Sequence, residues 1–326
     1  MRQVFTALLI LFSIYNTYSQ NKPSTNNQAK LADPITNITD PNDPNGDPNG
    51  DPIDPTEDPG VGDSGLTTEV GNTKGELSVS LTGAATYNIP ISVPVGINNV
   101  VPKVSLVYSS QTGYGAAGYG WNIGGVSMIT RIPSTKFHDD LIDPVDFDTN
   151  DRFALDGQRL ILTGGIYGAV GSTYTTENFS NVKVSLMSAV TTSLHTENGV
   201  SSTIVRRAVF KVEYPDGSVA LYGNTDDSST DITAALSQWE NPQGIKINYF
   251  YEKSNNYLYM STIKYGSTNS NSHMNSIQFN YIEKTIRDRI FVGNIEIINS
   301  KKLREINVSS NAIGYRNYKL TYNTLA

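Results

Sequence analysis

The stretch SSQTGYGAAGYGWNIGG, Ser109 to Gly125, places Gly113, Gly115 and Gly118 at the G-x-G-x-x-G spacing of a dinucleotide-binding turn. Such a turn binds a pyrophosphate only when a strand precedes the first glycine and a helix follows the last one. The preceding residues, KVSLVYSS, alternate as a strand does, but the following residues, YGWNIGGVSMITRI, hold three more glycines and keep alternating. Because glycine is unfavourable inside a helix, the stretch predicts a tight reversal between strands and no nucleotide site.

Alternation of apolar and polar residues with a period of two continues on both sides of this stretch, and it indicates strands with one apolar face. The apolar rows are Leu77, Val79, Leu81; Tyr87, Ile89, Ile91, Val93; Val104, Leu106, Tyr108; Phe210, Val212, Tyr214; Ile245, Ile247, Tyr249, Tyr251; Ile277, Phe279, Tyr281; and Tyr318, Leu320, Tyr322. Turn signals such as Asp156-Gly157 separate them. One segment, Asp231–Trp239, suggests a short helix capped by Asp231. The predicted fold class is all-β with antiparallel strands.

The first residues have the features of a secretory signal peptide, which we assign to residues 1–19. Arg2 supplies the positive start, an apolar run follows from Val4 to Ile14, and Ser19 ends a small-residue cleavage site. An uncleaved membrane anchor is the alternative, but the run is much shorter than the roughly 20 residues that a spanning helix needs. No later segment is apolar enough to span a membrane. The chain has no cysteine, so a secreted domain would be held by burial and hydrogen bonds without disulfides.

Residues 20–74 differ in composition from the rest and are predicted to be a disordered spacer. The dipeptide Asp-Pro occurs seven times between Asp33 and Pro59, and little in the segment could enter a core. The best EF-hand-like frame starts at Asn45 but has Thr56 at its last ligand position and lacks flanking helices, so no specific calcium site is predicted. The segment carries three lysines against ten acidic residues. The domain 75–326 is therefore nearly neutral, which argues against a nucleic-acid partner.

The segment Gly75–Arg131 resembles the opening of the SpvB-like domain. That domain begins the Salmonella virulence plasmid B protein, the B component of insecticidal Tc toxin complexes and many secreted proteins with RHS/YD repeats. Later segments resemble the family more loosely: Asp151–Leu162, Phe210–Gly223 and Tyr318–Tyr322. The positions that carry the resemblance, and that we take as structural family-motif residues, are Gly83, Tyr87, Pro90, Pro94, Gly96, Tyr108, Ser109, Gly113, Gly118, Gly120, Trp121, Gly124, Arg131, Asp156 and Gly157.

The resemblance implies an architecture in which such strands form part of a large wrapped sheet, a hollow β-shell that encloses a toxic C-terminal segment. The expected partners are other segments or subunits of an RHS/Tc toxin shell and a toxin cargo. The expected location is extracellular or at the cell surface, and relatives also reach the host cytoplasm. A full shell is much larger than this chain, so residues 75–326 are expected to be a domain truncated at its C-terminus. A surface adhesin or glycan-binding β-domain, with tyrosines that stack on sugars, is the alternative.

No complete catalytic, cofactor or metal constellation is recognised, and the sequence predicts a protein that is not an enzyme. The motif GDSG, Gly62 to Gly65, lacks the upstream histidine that a trypsin-like protease needs. His138, followed by two aspartates, is predicted to be a solvated loop residue, because none of the three histidines forms an H-E-x-x-H or H-x-H pair. The Salmonella relative carries a C-terminal ADP-ribosyltransferase, but the Glu-x-Glu pair of that chemistry is missing from this chain.

Overall fold

The computed structural model describes residues 73–189, 191–197, 200–206, 208–267 and 273–322, with the backbone alone described for residues 191–206. The predicted signal peptide, nearly all of the predicted spacer, the calcium frame at Asn45 and the GDSG motif lie outside these residues. The pairings between the strands are antiparallel throughout the described part of the chain. None of the helices described there is long and apolar enough to cross a membrane.

Within the described residues there are twenty-one strands, one helical turn labelled α1 and two 3-10 turns, Ile97–Asn99 and Asp226–Ser228. In chain order the elements are β1 (Glu76–Val79), β2 (Ala85–Pro90), β3 (Ser105–Ser109), β4 (Tyr114–Gly115), β5 (Gly118–Tyr119), β6 (Trp121–Gly124), β7 (Met128–Ile132), α1 (Lys136–Asp139), β8 (Arg152–Leu155), β9 (Gln158–Gly164), β10 (Thr173–Thr176), β11 (Lys183–Ser188), β12 (Thr191–Glu197), β13 (Val200–Arg206), β14 (Val209–Glu213), β15 (Val219–Tyr222), β16 (Thr233–Glu240), β17 (Lys246–Ser254), β18 (Tyr257–Ser267), β19 (Asn275–Val292), β20 (Ile295–Ser310) and β21 (Ile313–Lys319).

Eight strands close into a ring, in the order β15-β14-β11-β10-β9-β8-β7-β16, because β16 also pairs with β15. A four-stranded sheet, β1-β2-β3-β6, precedes the ring in the chain, and the two-residue strands β4 and β5 pair with each other between β3 and β6. The hairpin β12–β13 is inserted between the ring strands β11 and β14. Ring closure removes two sheet edges that would otherwise be open to pairing.

Strand β16 joins the ring to a second set of strands, the ladder β17-β18-β19-β20-β21. Its first residues, Thr233–Ala235, pair with β7, and its last residues, Gln238–Glu240, pair with β17. Its other edge pairs with β15 across a register shift, where the Ser237 hydroxyl donates to the carbonyl of Leu221 at 2.9 Å. The ring and the ladder therefore belong to one continuous sheet that divides at β16.

The core holds the inward rows of the ring and the ladder, including several fully buried tyrosines. The fully buried tyrosines, Tyr174, Tyr222, Tyr259 and Tyr265, each have a hydrogen-bonded hydroxyl, as a low-dielectric interior requires. The hydroxyl of Tyr259, for example, accepts from the amide of Ser300 at 2.8 Å, and that of Tyr265 donates to the carbonyl of Pro94 at 2.7 Å. Part of the abundant tyrosine of the sequence therefore lies in the core, where Tyr174, Tyr222, Tyr249, Tyr251, Tyr259 and Tyr265 are buried.

The structure confirms the all-β fold class, and every predicted alternating row lies in a strand or within three residues of one. The helix predicted for Asp231–Trp239 is wrong, because most of that segment forms β16. Ala234, Ala235 and Leu236 are buried there, between partners on both edges of the strand. Helix propensity is a weak preference, and pairing on two edges together with burial overrides it.

Candidate functional site

The glycine-rich stretch forms a reversal between β3 and β6 and uses its own backbone amides internally. The amide of Gly120 donates to the carbonyl of Gly113 at 2.8 Å, and that of Ala117 donates to the carbonyl of Trp121 at 3.1 Å. The amide of Ala116 donates to the side chain of Asn122 at 3.1 Å. A strand, β6, follows directly. These amides are not aimed outwards at a phosphate, and the helix N-terminus of a dinucleotide fingerprint is not formed in this segment.

Two physical needs explain glycine in this reversal. Gly118 and Gly120 have φ of +114° and +76°, in the region that side chains disfavour. A Cβ atom at Gly120 would lie 2.5 Å from the ring of Tyr108, and one at Gly115 would lie 2.2 Å from the carbonyl oxygen of Trp121. Gly120 and Gly115 therefore lack space for a side chain, because the backbone of Gly120 passes against the ring of Tyr108 and that of Gly115 passes against the peptide group of Trp121.

An aromatic row crosses the four-stranded sheet next to the reversal. Leu77 lies opposite Tyr87, Tyr87 opposite Tyr108, and Tyr108 opposite Trp121, so that one residue of each strand contributes. The ring centroid of Trp121 is 5.4 Å from that of Tyr108 and 6.3 Å from that of Tyr87. Such edge-to-face and tilted contacts between neighbouring strands stabilise the sheet and fix its register.

The glycine-rich reversal and the chain around Pro94 attach to the ladder through hydrogen bonds. The carbonyl of Ala116, in the glycine-rich reversal, accepts from the amide of Leu303 at 2.7 Å. The chain after β2 runs along the ladder, where the carbonyl of Pro94 accepts the hydroxyl of Tyr265. Gly96 makes a tight turn there, because a Cβ atom would lie 2.0 Å from the carbonyl oxygen of Val100. The motif thus connects chain segments far apart in the sequence.

The remaining motif positions on the four-stranded sheet lie at strand ends or close contacts. Gly83, with φ of +82°, forms the turn between β1 and β2, and Pro90 ends β2. The amide of Ser109 donates to the carbonyl of Gly120 at 2.9 Å. A Cβ atom at Gly124 would lie 2.6 Å from a methyl group of Val107, so β3 and β6 could not approach as they do.

Arg131, on β7, anchors an acidic loop that leads into β8. Its guanidinium donates to the carboxylate of Asp151 at 2.8 Å, with side-chain exposures of 13% and 1%. That carboxylate also accepts from the amides of Asp146 and Phe147, at 3.2 and 3.1 Å. The guanidinium carbon lies 5.7 Å from the ring centroid of Phe147 and 5.4 Å from that of Phe153. The residue therefore neutralises a buried charge and packs between two aromatic rings.

The Asp156-Gly157 turn joins β8 to β9 with positive φ at both residues, +48° and +80°, as the tightest hairpin turns require. The Asp156 carboxylate accepts from the hydroxyl of Ser127 at 2.7 Å and from the amide of Met128 at 2.8 Å. Burial raises its pKa above the ordinary value, although both hydrogen bonds favour the ionised form. The Asp156-Gly157 turn thus holds the chain at Ser127 and Met128, where β7 begins. Strand β7 is the neighbour of β8 in the ring.

Sequence reasoning missed α1 and the ion pairs around it. The carboxylate of Asp139, which is 8% exposed, accepts from Arg152 and Arg159 and from the amide of Thr135 at 2.8 Å. Its pKa is lowered: desolvation raises it, but these hydrogen bonds and the charge of Arg159 outweigh the desolvation. No local pattern identifies this cluster, because its members come from separate elements that the ring brings together.

His138 is solvent-exposed as predicted, but its assignment to a loop is wrong, since the residue lies in α1. Its side chain is 24% exposed, and its Nε2 atom lies 2.9 Å from a carboxylate oxygen of Glu177. The other imidazole nitrogen, Nδ1, lies 3.0 Å from the hydroxyl of Thr135, so Glu177 and Thr135, and not a second histidine, are the polar neighbours of this side chain. The contact fixes α1 against the loop that follows β10.

Three carboxylates of the acidic loop, on Asp143, Asp146 and Asp148, have oxygen atoms within 4.8 Å of one another. Desolvation and the two neighbouring charges raise the pKa of Asp146. The sequence predicted no metal ligands here. A surface cavity of about 390 Å³ lies beside this loop, with Arg131 and Tyr167 in its wall. Oxygen ligands of this kind suit hard cations, but all three groups are partly or fully solvent-exposed.

Comparison with known proteins identifies the domain. Residues 79–231 match the family described as Salmonella virulence plasmid 65kDa B protein. No curated protein matches the sequence. Among solved structures, the N-terminal domain of effector protein SpvB from Salmonella typhimurium strain LT2 is similar at 17% identity, with a TM-score of 0.51. That match covers 68% of this chain and 86% of the SpvB domain.

Larger toxin structures share the same fold. TcdB2-TccC3 is similar at 17% identity, with a TM-score of 0.55, over 72% of this chain and 14% of that one. The Photorhabdus luminescens Tc holotoxin pore is similar at 16% identity, with a TM-score of 0.56, over 73% of this chain and 13% of that one. The chain thus spans about a seventh of the toxin chains that it matches. The family match and the shared fold lead to one conclusion: this chain carries an SpvB-like domain of the type found in SpvB and Tc toxins.

Proposed function

We propose that this chain is a non-catalytic structural module of a secreted Tc- or SpvB-type toxin, and that its strands form part of a β-shell around a toxic segment. A signal peptide at 1–19 would export it, and a spacer at 20–74 would separate the signal from the shell domain. The partners would be further shell segments or subunits and the enclosed toxin. The family match and the fold of the TcdB2-TccC3 chain support this role.

The observation that carries the proposal is the open end of the ladder. In the described residues β21 pairs with β20 on one side and with no strand on the other. Ile313 and Tyr315 on this strand are 73% and 52% exposed. An edge strand with exposed apolar side chains is a template for another strand. A shell that continues beyond this chain would begin its next strand here.

Self-association of the whole chain tests the proposal. We expect light scattering after size-exclusion chromatography to show association that grows with concentration, because the outer edge of β21 is unpaired within the described residues. Ile313→Lys should reduce the association, since a charge on an edge strand opposes pairing. Phe179→Lys is the matched control, because Phe179 is 81% exposed in a loop away from this edge. A single monomer peak for the unaltered chain at high concentration would contradict the shell role.

A glycan-binding role is the second candidate, and one aromatic pair favours it. Tyr114 and Tyr119, on β4 and β5, are 64% and 62% exposed, and their ring centroids are 5.1 Å apart. Exposed aromatic rings can stack on sugar rings. A glycan array probed with the whole chain and with a Tyr114→Ala/Tyr119→Ala variant tests this role. Binding by the unaltered chain that the variant loses would support it, and an array without binding would exclude it.

A further inference from the structure

The long hairpin β19–β20 contains a bulge that folds one strand locally into a turn. The register shifts between Glu283 and Asp288, where four residues of β19, 284–287, lie opposite Ser300 alone. Across this bulge the side chains of Lys284 and Asp288, four positions apart, form an ion pair at 2.8 Å. Residues at that spacing are neighbours in a helical turn but lie about 13 Å apart along an extended strand. The bulge therefore redirects the side chain of Lys284 along the hairpin.

Lys284 is buried in the hairpin, which is a rare position for an ammonium group. Its side chain is 7% exposed, and its Nζ atom lies 2.8 Å from a carboxylate oxygen of Asp288. The ring centroid of Tyr114, in the glycine-rich reversal, is 6.0 Å from the same atom. Lysine is almost never buried unless it is paired, because its charge is costly to remove from water. The amine is thus held in nearly dry surroundings beside a proton acceptor.

The carboxamide of Asn299, on the facing strand, is the second group that this amine contacts. In the orientation that satisfies both ends of the carboxamide, its oxygen accepts from Nζ of Lys284 at 2.9 Å, and its nitrogen donates to the carbonyl of Lys301 at 3.1 Å. Asn299 is 7% exposed. The carbonyl carbon, Cγ, is one bond away from that oxygen. An amine is therefore held beside a carbonyl carbon that it could attack.

We propose that Lys284 and Asn299 form an intramolecular isopeptide bond, and that Asp288 is its catalytic base. The Asp288 carboxylate takes one proton from the ammonium, and the freed lone pair of Nζ attacks Cγ of Asn299. The Nζ–Cγ bond forms, the Cγ–Nδ2 bond breaks, and a second proton passes from Nζ to Nδ2, which leaves as ammonia. Asp288 then gives its proton to the ammonia through solvent. The products are an amide and one ammonium ion, and no oxidant is needed.

The bond would join β19 to β20 at the bulge, where the strand pairing is interrupted. An ion pair with Asp288 alone would not need a buried carboxamide on the facing strand. The chain has no cysteine, so no disulfide can tie these strands together. A bond that closes the loop of residues 284–299 would constrain the unfolded chain as a disulfide does. The inference does not depend on the shell role, because all three reacting groups lie in one hairpin.

Peptide mapping of the folded whole chain tests the bond directly. Trypsin cleaves after arginine and after lysine with a free amine, so an unlinked chain gives residues 265–284 and 290–301 as separate peptides. In a linked chain the acylated Lys284 resists cleavage. The product is then residues 265–287 joined to residues 290–301, lighter by one ammonia than the two peptides together. We expect the joined product, and only separate peptides from the folded chain would overturn the proposal.

Lys284→Arg is the matched control, because it keeps the positive charge but has no amine to acylate. The intact masses of the two chains should differ by the lysine-to-arginine change and one further ammonia, which only the unaltered chain loses. An asparagine can also lose ammonia by closing a ring with its own backbone, and that loss would persist in Lys284→Arg. Equal loss in both chains would therefore overturn the proposal.

Asp288→Asn tests the catalytic base. Without a proton acceptor beside Nζ, we expect the joined product to accumulate at least about a hundredfold more slowly in newly made whole chain, sampled at intervals after cell-free synthesis. Glu283→Gln is the matched control, since Glu283 is an acid at the same bulge but pairs with Arg287 at 3.9 Å. It should form the bond as fast as the unaltered chain. Equal rates in Asp288→Asn and Glu283→Gln would overturn the role of Asp288.

Discussion

At the scale of single residues, Arg131 shows how a motif position can act through one buried charge. We expect Arg131→Met to lower the free energy of unfolding by about 3–5 kcal/mol, because it leaves the carboxylate of Asp151 buried without its cation. Urea unfolding measures the change. Arg287→Met is the control, since Arg287 is 52% exposed and pairs with Glu283 at 3.9 Å. Such a surface pair contributes at most about 1 kcal/mol, and equal losses in the two variants would contradict the assigned role.

Asp139 gives a prediction about pH. Its folded-state pKa lies below the unfolded value of 3.8, so its ionised form stabilises the fold above that pH, and the contribution is lost as the pH falls through the folded pKa. Asp139→Asn should therefore be less stable than the unaltered chain near neutral pH, and the difference should shrink on acidification below about pH 4.

Chemical unfolding at a series of pH values measures this difference. Asp140→Asn is the control, because the Asp140 side chain is 91% exposed and pairs only with Lys136 in the described structure. Its stability curve should run parallel to that of the unaltered chain. If the difference in the free energy of unfolding between Asp139→Asn and the unaltered chain stayed constant from neutral to acidic pH, the charge of the Asp139 carboxylate would not contribute to stability.

At the scale of elements, a glycine of the reversal can be compared with a loop glycine to tell the cost of a steric clash from the cost of an unfavourable backbone conformation. Gly120 and Gly168 both have positive φ, +76° and +74°, but only at Gly120 would a Cβ atom meet a neighbour. We expect Gly168→Ala to cost about 1 kcal/mol from its left-handed backbone. Gly120→Ala should cost clearly more, because the ring of Tyr108 must also move. Thermal unfolding compares the two, and similar losses would exclude crowding as the reason for glycine at 120.

The elements also show what a sequence can and cannot predict. Alternation located the strands around Tyr87, Val212 and Ile277 because its period depends on the sheet face alone. It failed for β16, where Ala234 and Ala235 read as helix formers until both strand edges find partners. The glycines of the reversal were assigned correctly to a turn. The partner of Arg131 was not foreseeable, because the fold alone brings Asp151 to it.

At the scale of the whole molecule, β16 decides whether the ring can exist. The family match ends at residue 231, just before β16 begins at Thr233. A fragment of residues 73–231 would leave β7 and β15 unpaired on one edge each and expose the buried Ile129 and Phe210. We expect this fragment to show no cooperative unfolding transition. Residues 73–322 should show one by circular dichroism. A cooperative transition in the shorter fragment would mean that the ring folds without its closing strand.

The division of the sheet at β16 also has a mechanical consequence. A pull on the C-terminus would load the ladder across its outermost hydrogen bonds, so β21, β20 and the strands before them would unzip one at a time at low force. The ring strands are held on two edges and would have to shear together. A processive unfoldase that starts at the C-terminus would therefore advance in strand-sized steps and stall at β16, where force on one strand is shared by two sets of neighbours.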